Sequence, residues 1–327
     1  MRLEEDELRK AAKETGFVPE VLEKTVLLFG LLESIRDHPD LQGRIALKGG
    51  TALNLFVFDV PRLSVDIDLN YIGSKSREGM LKERPVVEKA LQEAFRKEGL
   101  SVRRMPEEHA GGKFSLRYPS ALGGSGNLTV DINYIHRIPL WPVKAMDSRK
   151  LGDWGARGIP VFDPHELAAS KLSALFSRGY ARDLFDSRRI LTDESFDPEK
   201  LRLGFVVYGA MGRKDLRMAS PESLSIRIGD FTGQLSGLLG QESPRTQEEW
   251  EGYKERLLEE CREGLSVILP FRSQEKAFLD AVMDKGEIRP SLLTEDTDLA
   301  RRIREHPGLE WKALNVRRHK GLDPSRP

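Results

Sequence analysis

Residues 47–73 read LKGGTALNLFVFDVPRLSVDIDLNYIG, and two patterns inside them decide the fold. From residue 63 to 72 the side-chain character alternates as on a strand. Asp66 and Asp68 therefore share one face, while Val65, Ile67 and Leu69 share the other. Ahead of this strand, a short β-like run at 44–47 is broken by Gly49-Gly50 and followed by a helical stretch at 51–58. The reading is strand, Gly-Gly turn, helix, strand. Two carboxylates two residues apart on one face repel each other and resist desolvation unless a cation sits between them. Hard oxygen ligands favour Mg²⁺ or Mn²⁺ in that place.

A bare Asp-x-Asp does not separate a metal site from two solvated acids on a wet strand face. The Gly49-Gly50-Thr51 turn changes the balance, because it opens a helix sixteen residues before Asp66, counted from Gly50. Glycines there let the backbone approach a ligand, and the first amides of a helix offer N–H donors to phosphate. A third carboxylate, Asp131, lies between Val130 and Ile132 in GNLTVDINYI (126–135). If that strand neighbours 63–72, Asp131 joins Asp66 and Asp68 around one or two metals. Taken alone, it reads equally well as an edge-strand Asp facing water.

Working outward, helices are expected at 4–14, 19–36 and 81–98, and strands at 101–105, 113–118 and 127–135. Residues 137–160, with three prolines and three glycines, read as an irregular hinge. Beyond it helices dominate, at 164–177, 181–191, 198–210, 221–239, 246–265 and 271–285. The stretch from Pro307 is basic, and residues after Gly321 are expected to fray. The expected fold class is α+β. Residues 1–160 form an α/β lobe with a small mixed sheet and N-terminal helices, and residues 161–327 form a mainly helical lobe.

The chain has 327 residues, 39% hydrophobic and 32% charged, with 52 basic and 52 acidic side chains. That suits a folded two-lobed protein and excludes a broadly basic nucleic-acid coat. The single cysteine, Cys261, excludes an internal disulfide and a cysteine-based zinc site. The acidic N-terminus MRLEEDELRK is unlike a secretory signal, and the apolar run 26–32 is too short to span a bilayer, so a cytoplasmic protein without membrane contact is expected. No GxxxxGK[ST], no G-x-S-x-G and no HxxxH pair occurs. His165, near a helix start, reads as a capping or surface group.

The run Lys48-Gly49-Gly50-Thr51-Ala52-Leu53, followed by Arg62, Ser64, Asp66, Asp68 and Leu69, resembles the AbiEii/AbiGii-type nucleotidyltransferase toxins of the DNA polymerase β-like superfamily. HELAASKLSALFSRGYARDLFD (165–186) is similar to the family's second signature, with Lys171 on one helix and Arg182-Asp183 on the next. The matched segments lie before about residue 195. The resemblance implies nucleotidyl transfer by two-metal catalysis, in which Asp66, Asp68 and Asp131 hold Mg²⁺ or Mn²⁺ against a nucleoside triphosphate. Gly49, Gly50, Thr51 and Ser64 become candidate nucleotide contacts, and Lys48 and Lys171 candidate partners for triphosphate charge. The helical lobe would contribute Lys171 and Asp183 to the site. Asp183 would recognise sugar or orient Lys171; the alternative is a helix salt bridge with Arg178 or Arg182, over which the motif favours a functional role.

The resemblance further implies the toxin of a toxin–antitoxin or phage-defence system, a cognate antitoxin, and tRNA as the leading acceptor, modified at its 3′ end. Local charge permits RNA: residues 171–189 hold five Lys/Arg against two acids, and 301–320 hold seven against two. Two alternatives stand beside it. One is transfer to a protein or small-molecule hydroxyl, and the other is a non-catalytic nucleotide-binding protein, against which the presence of all three carboxylates argues.

Overall fold

The computed structural model describes residues 4–104, 110–241 and 243–322. In chain order the elements are α1 (Glu5–Thr15), α2 (Pro19–Asp37), β1 (Ile45–Lys48), α3 (Gly49–Ala52), β2 (Asp66–Tyr71), α4 (Arg77–Lys97), β3 (Ser101–Arg104), β4 (Gly111–Pro119), β5 (Ser125–Asn133), β6 (Lys144–Met146) and β7 (Ile159–Val161). Helices follow: α5 (Pro164–Arg178), α6 (Ala181–Thr192), α7 (Pro198–Ala210), α8 (Ile228–Leu235), α9 (Gln247–Gly264), α10 (Ser273–Asp280), α11 (Thr297–Arg304) and α12 (Pro307–His319). The architecture is α+β.

Two compact units emerge from the packing. The first comprises Met1–Arg137, Pro142–Asp163 and Leu235–Ser243; the second comprises Ile138–Trp141, Pro164–Gln234 and Pro244–Pro327. The first unit holds a mixed sheet in the order β3-β4-β5-β2-β1-β7-β6. Pairings β1/β2, β3/β4, β4/β5 and β6/β7 are antiparallel, while β2/β5 and β1/β7 are parallel. One sheet face is apolar. Ile67, Leu69, Phe114, Leu116, Leu128, Val130 and Ile132 are all buried, and α4 lies on that side, with Phe95 edge-on to Phe114 at a centroid distance of 5.1 Å. On the other face stand Asp66 and Asp68 of β2, Lys113, Ser115 and Arg117 of β4, and Asn127, Thr129, Asp131 and Asn133 of β5, all polar and at least partly exposed, the signature of an antiparallel-type layer with one wet face.

Most expected elements appear with their ends moved by a few residues, and the departures have physical reasons. The helix expected from residue 81 begins at Arg77, where Ser76 Oγ accepts from Gly79 N at 3.0 Å and caps it. The supposed hinge 137–160 contains β6 and reaches β7, which complete the sheet edge. Strands of three residues, one containing Pro160, are too short to show an alternating pattern. The helix expected at 221–239 is cut to α8, and the chain then returns to the first unit, where Leu63 N donates to Leu238 O at 2.9 Å. Helix α12 occupies the stretch from Pro307 that read only as basic, and α11 lies just before it where no element was expected; Asp296 and His306 side chains cap them. Met105 of the expected strand 101–105, and residues 323–327 of the expected frayed end, lie outside the described residues.

The second unit is organised by a buried acid. Glu166 is fully buried and accepts from Leu140 N at 3.1 and 3.0 Å, from Trp141 N at 3.3 Å, and from Tyr208 Oη at 2.6 Å. Burial, reinforced by the Glu166 charge, pushes the Tyr208 hydroxyl well above its ordinary pKa, so it stays a donor. Glu166 thereby fixes residues 138–141 onto α5 and α7. Replacing Glu166 by Leu strands two backbone N–H groups and a hydroxyl away from water, and should cost about 3 kcal/mol in chemical denaturation.

Candidate functional site

The first unit gathers its charged residues in one row. Lys48 on β1 is directly opposite Asp68 on β2, Asp68 opposite Asp131 on β5, and Asp131 opposite Lys113 on β4. Residues in direct register project to the same face, so the row runs Lys, Asp, Asp, Lys across four adjacent strands. Asp66 stands on the same face, one pleat along from Asp68 and opposite Thr129. The neighbour relation between Asp131 and residues 63–72, conditional in the sequence, is a parallel pairing here.

The Gly-Gly turn is built around Asp68. Gly49 adopts φ 76°, and a Cβ placed on it would collide with Asp68 Oδ2, so only glycine lets the backbone lie against that carboxylate. After α3 the chain forms a π-helical turn, Leu53–Val57, in which Leu53, Leu55 and Phe56 are buried and Asn54 Nδ2 donates to Gly50 O at 2.9 Å. Thr51 and Ser64 sit behind the turn. Thr51 is fully buried; its hydroxyl bonds the backbone carbonyl of Asp66 and lies 3.0 Å from Ser64 Oγ. These two hydroxyls lock the turn to the start of β2. Lys48 is half-buried, its Nζ 5.6 Å from the centroid of the Phe162 ring.

Burial pushes the Asp131 carboxyl above the usual carboxylate range. Lys113, whose Nζ lies 3.2 Å from Asp131 Oδ2, opposes the shift, and the negative charge of Asp66 adds to it. Asp66 and Asp131 therefore feel each other across β2 and β5, which is the field that a bound cation relieves. As a donor set, three carboxylates on one face of adjacent strands fit a hard divalent ion. Among the described residues, however, no group of three His, Cys, Asp or Glu side chains already converges as a metal site. Donor chemistry and register fit the ion; the side-chain directions do not yet form its cage.

The second unit holds the other cluster. Lys171 Nζ lies 3.0 Å from Asp183 Oδ1 and 3.1 Å from Asp186 Oδ2, with all three side chains at most 9% exposed. Arg178 closes on Asp183 from outside, Nε to Oδ2 at 2.7 Å, and its guanidinium rests 4.9 Å over the Tyr180 ring. Burial alone would raise the Asp183 carboxyl, yet Lys171 and Arg178 hold it below the ordinary value. The salt-bridge account of Asp183 thus holds for Arg178, and with it the coupling to Lys171. Asp186 escaped the sequence reading. Its i, i+3 spacing from Asp183 on a helix was the available signal. His165 is local architecture: its Nε2 accepts from Asp197 N at 3.0 Å. Cys261 is buried, which pushes its thiol up to about 12 and leaves it unreactive. No described helix is long and apolar enough to cross a membrane.

Residues 30–312 match the model of a family described as nucleotidyl transferase AbiEii toxin, type IV toxin–antitoxin system. Among solved structures the chain is similar to MenT4, a nucleotidyltransferase toxin from Mycobacterium tuberculosis H37Rv. The TM-score is 0.63 over 96% of this chain and 99% of that one, at 17% identity, a likeness of fold. No curated protein matches the sequence.

Three substitutions test this construction. Gly49→Ala should force Asp68 out of place and strain the backbone, lowering stability by about 1–3 kcal/mol in thermal unfolding. Lys171→Met leaves two buried carboxylates facing each other and should cost about 3–5 kcal/mol. Because the folded Asp183 carboxyl is held below its unfolded value, its contribution is full above about pH 4 and is lost as pH falls through the folded value. The stability difference between wild type and Asp183→Asn, followed by denaturant titration at stepped pH, should shrink on acidification below about pH 4.

Proposed function

The chain belongs to the AbiEii nucleotidyltransferase toxin family of type IV toxin–antitoxin systems, and from that premise we propose that it transfers a nucleoside monophosphate from an NTP to an RNA acceptor, the 3′ end of tRNA. The observation that carries this reading is the register that sets Asp66, Asp68 and Asp131 on one face of β2 and β5, beside the Gly49-Gly50 turn. In the proposal these three carboxylates hold Mg²⁺ or Mn²⁺. Such ions, in a two-metal arrangement, stabilise the attacking and leaving oxygens of an in-line displacement at the α-phosphorus.

The chain's own residues supply the rest. Backbone amides at Gly49 and Gly50 face the triphosphate, on a turn that Thr51 and Ser64 hold against β2. Lys48 brings positive charge beside Asp68. Lys171, whose ammonium is held by Asp183 and Asp186, remains the proposal's candidate partner for triphosphate charge. Asp183 is then a positioning residue that holds the ammonium in place. A cognate antitoxin follows from the family.

The reading is tested with α-labelled NTPs, Mg²⁺ and a mixture of total tRNA, cell protein and small acceptors. Label should appear in tRNA, at its 3′ end by sequencing, and fall by at least about 100-fold in Asp66→Ala and Asp68→Ala. Induced expression should arrest growth with the wild-type chain and not with either variant. Label confined to protein, or arrest that survives both substitutions, overturns the proposal.

A further inference from the structure

The wet face of the sheet continues past the carboxylates, away from β2. Beyond Asp131 it is formed by Thr129 and Asn127 on β5, by Lys113, Ser115 and Arg117 on β4, and by Ser101 on β3, in direct register across the three strands. No apolar side chain stands on this stretch, although the opposite face of the same strands is buried core. Lys113 is 67% exposed and reaches Asp131 at 3.2 Å. Arg117 is exposed, with its Nε donating to Ser125 Oγ at 2.9 Å. Four residues of strand separate the two cations by about 14 Å, at about 3.4 Å per residue. Among the described residues of β3, β4 and β5, Asp131 is the only acid.

We infer that this open face of β4 and β5 is the docking surface for the acceptor RNA, with Lys113 and Arg117 gripping its phosphate backbone as it approaches the carboxylates. The inference rests on the nucleotidyl-transfer reading above and adds a location for the acceptor. Three features select a nucleic-acid strand. Two flexible cations lie on a face whose one acid is the proposed metal ligand. Hydroxyl and amide groups between them can bond phosphate and sugar without reading sequence. The surface is contiguous with the reacting carboxylates, and an acceptor hydroxyl has to arrive there.

The test uses the full-length chain and unmodified total tRNA in EDTA, so that binding is read without catalysis. Fluorescence anisotropy between about 50 and 200 mM salt gives the slope of log K against log [salt]. The double variant Lys113→Gln/Arg117→Gln should reduce that slope by about two, one for each cation removed. With Mg²⁺ and NTP, its KM for tRNA should rise; Arg117→Gln alone, which leaves Asp131 its Lys113 partner, should raise the KM for tRNA while the KM for NTP stays at the wild-type value. The charge-preserving pair Lys113→Arg/Arg117→Lys should keep the wild-type slope. If the wild type labels tRNA and the double variant leaves slope and KM unchanged, the surface is wrong and the acceptor reading stands. If the wild type neither binds nor labels tRNA and labels protein instead, both fall.

Discussion

Like charges on adjacent strands need a counter-charge, and that Coulombic constraint organises the first unit. Asp68 and Asp131 face each other across β2 and β5, with Asp66 one pleat away. The chain answers with Lys48 on one flank and Lys113 on the other, so the row alternates outward from acid to base. The raised Asp131 carboxyl records what repulsion and burial remain. Repulsion of this kind is what a divalent cation among carboxylates relieves, which is the ground on which the proposed function rests. Gly49 belongs to the same constraint: its left-handed backbone is what lets Asp68 lie against the turn.

In the second unit the same physics is carried to burial. Lys171, Asp183 and Asp186 are nearly excluded from water, and such charges persist only when each finds a partner. Arg178, half outside, balances the second carboxylate. The cluster joins α5 to α6 through charge, while Glu166 joins α5 to α7 and to residues 138–141 through neutral donors. Both devices make the position of a lysine depend on helix packing that no local pattern specifies.

Much of this was legible from short-range pattern. Alternation across residues 63–72 puts Asp66 and Asp68 on one face, and helical spacing over 164–191 places α5 and α6 within a residue or so at each end. What pattern missed was short or non-local. Strands β6 and β7 are held by partners elsewhere in the sheet, and three residues carry too little period to be recognised. Nothing in the pattern singles out Lys113 or Asp186: the pairing of β4 with β5 brings Lys113 to Asp131, and the packing of α5 on α6 brings Asp186 to Lys171. Residues 236–239 read as the end of a helix and instead lie in the segment Leu235–Ser243 of the first unit, where Leu63 N donates to Leu238 O.

The sequence by itself determined the chemistry: which residues carry charge, which glycines admit a close backbone, and which family the pattern resembles. Those properties are local, fixed by residue type and by periods of two and 3.6 residues. The tertiary structure decided the company each charge keeps. Only the parallel pairing of β2 with β5 makes Asp131 a neighbour of Asp68, and only the packing of α5 on α6 turns Lys171 into a buried ion cluster. Coulomb energy depends on distance and dielectric, and both are set by contacts between residues far apart in the chain.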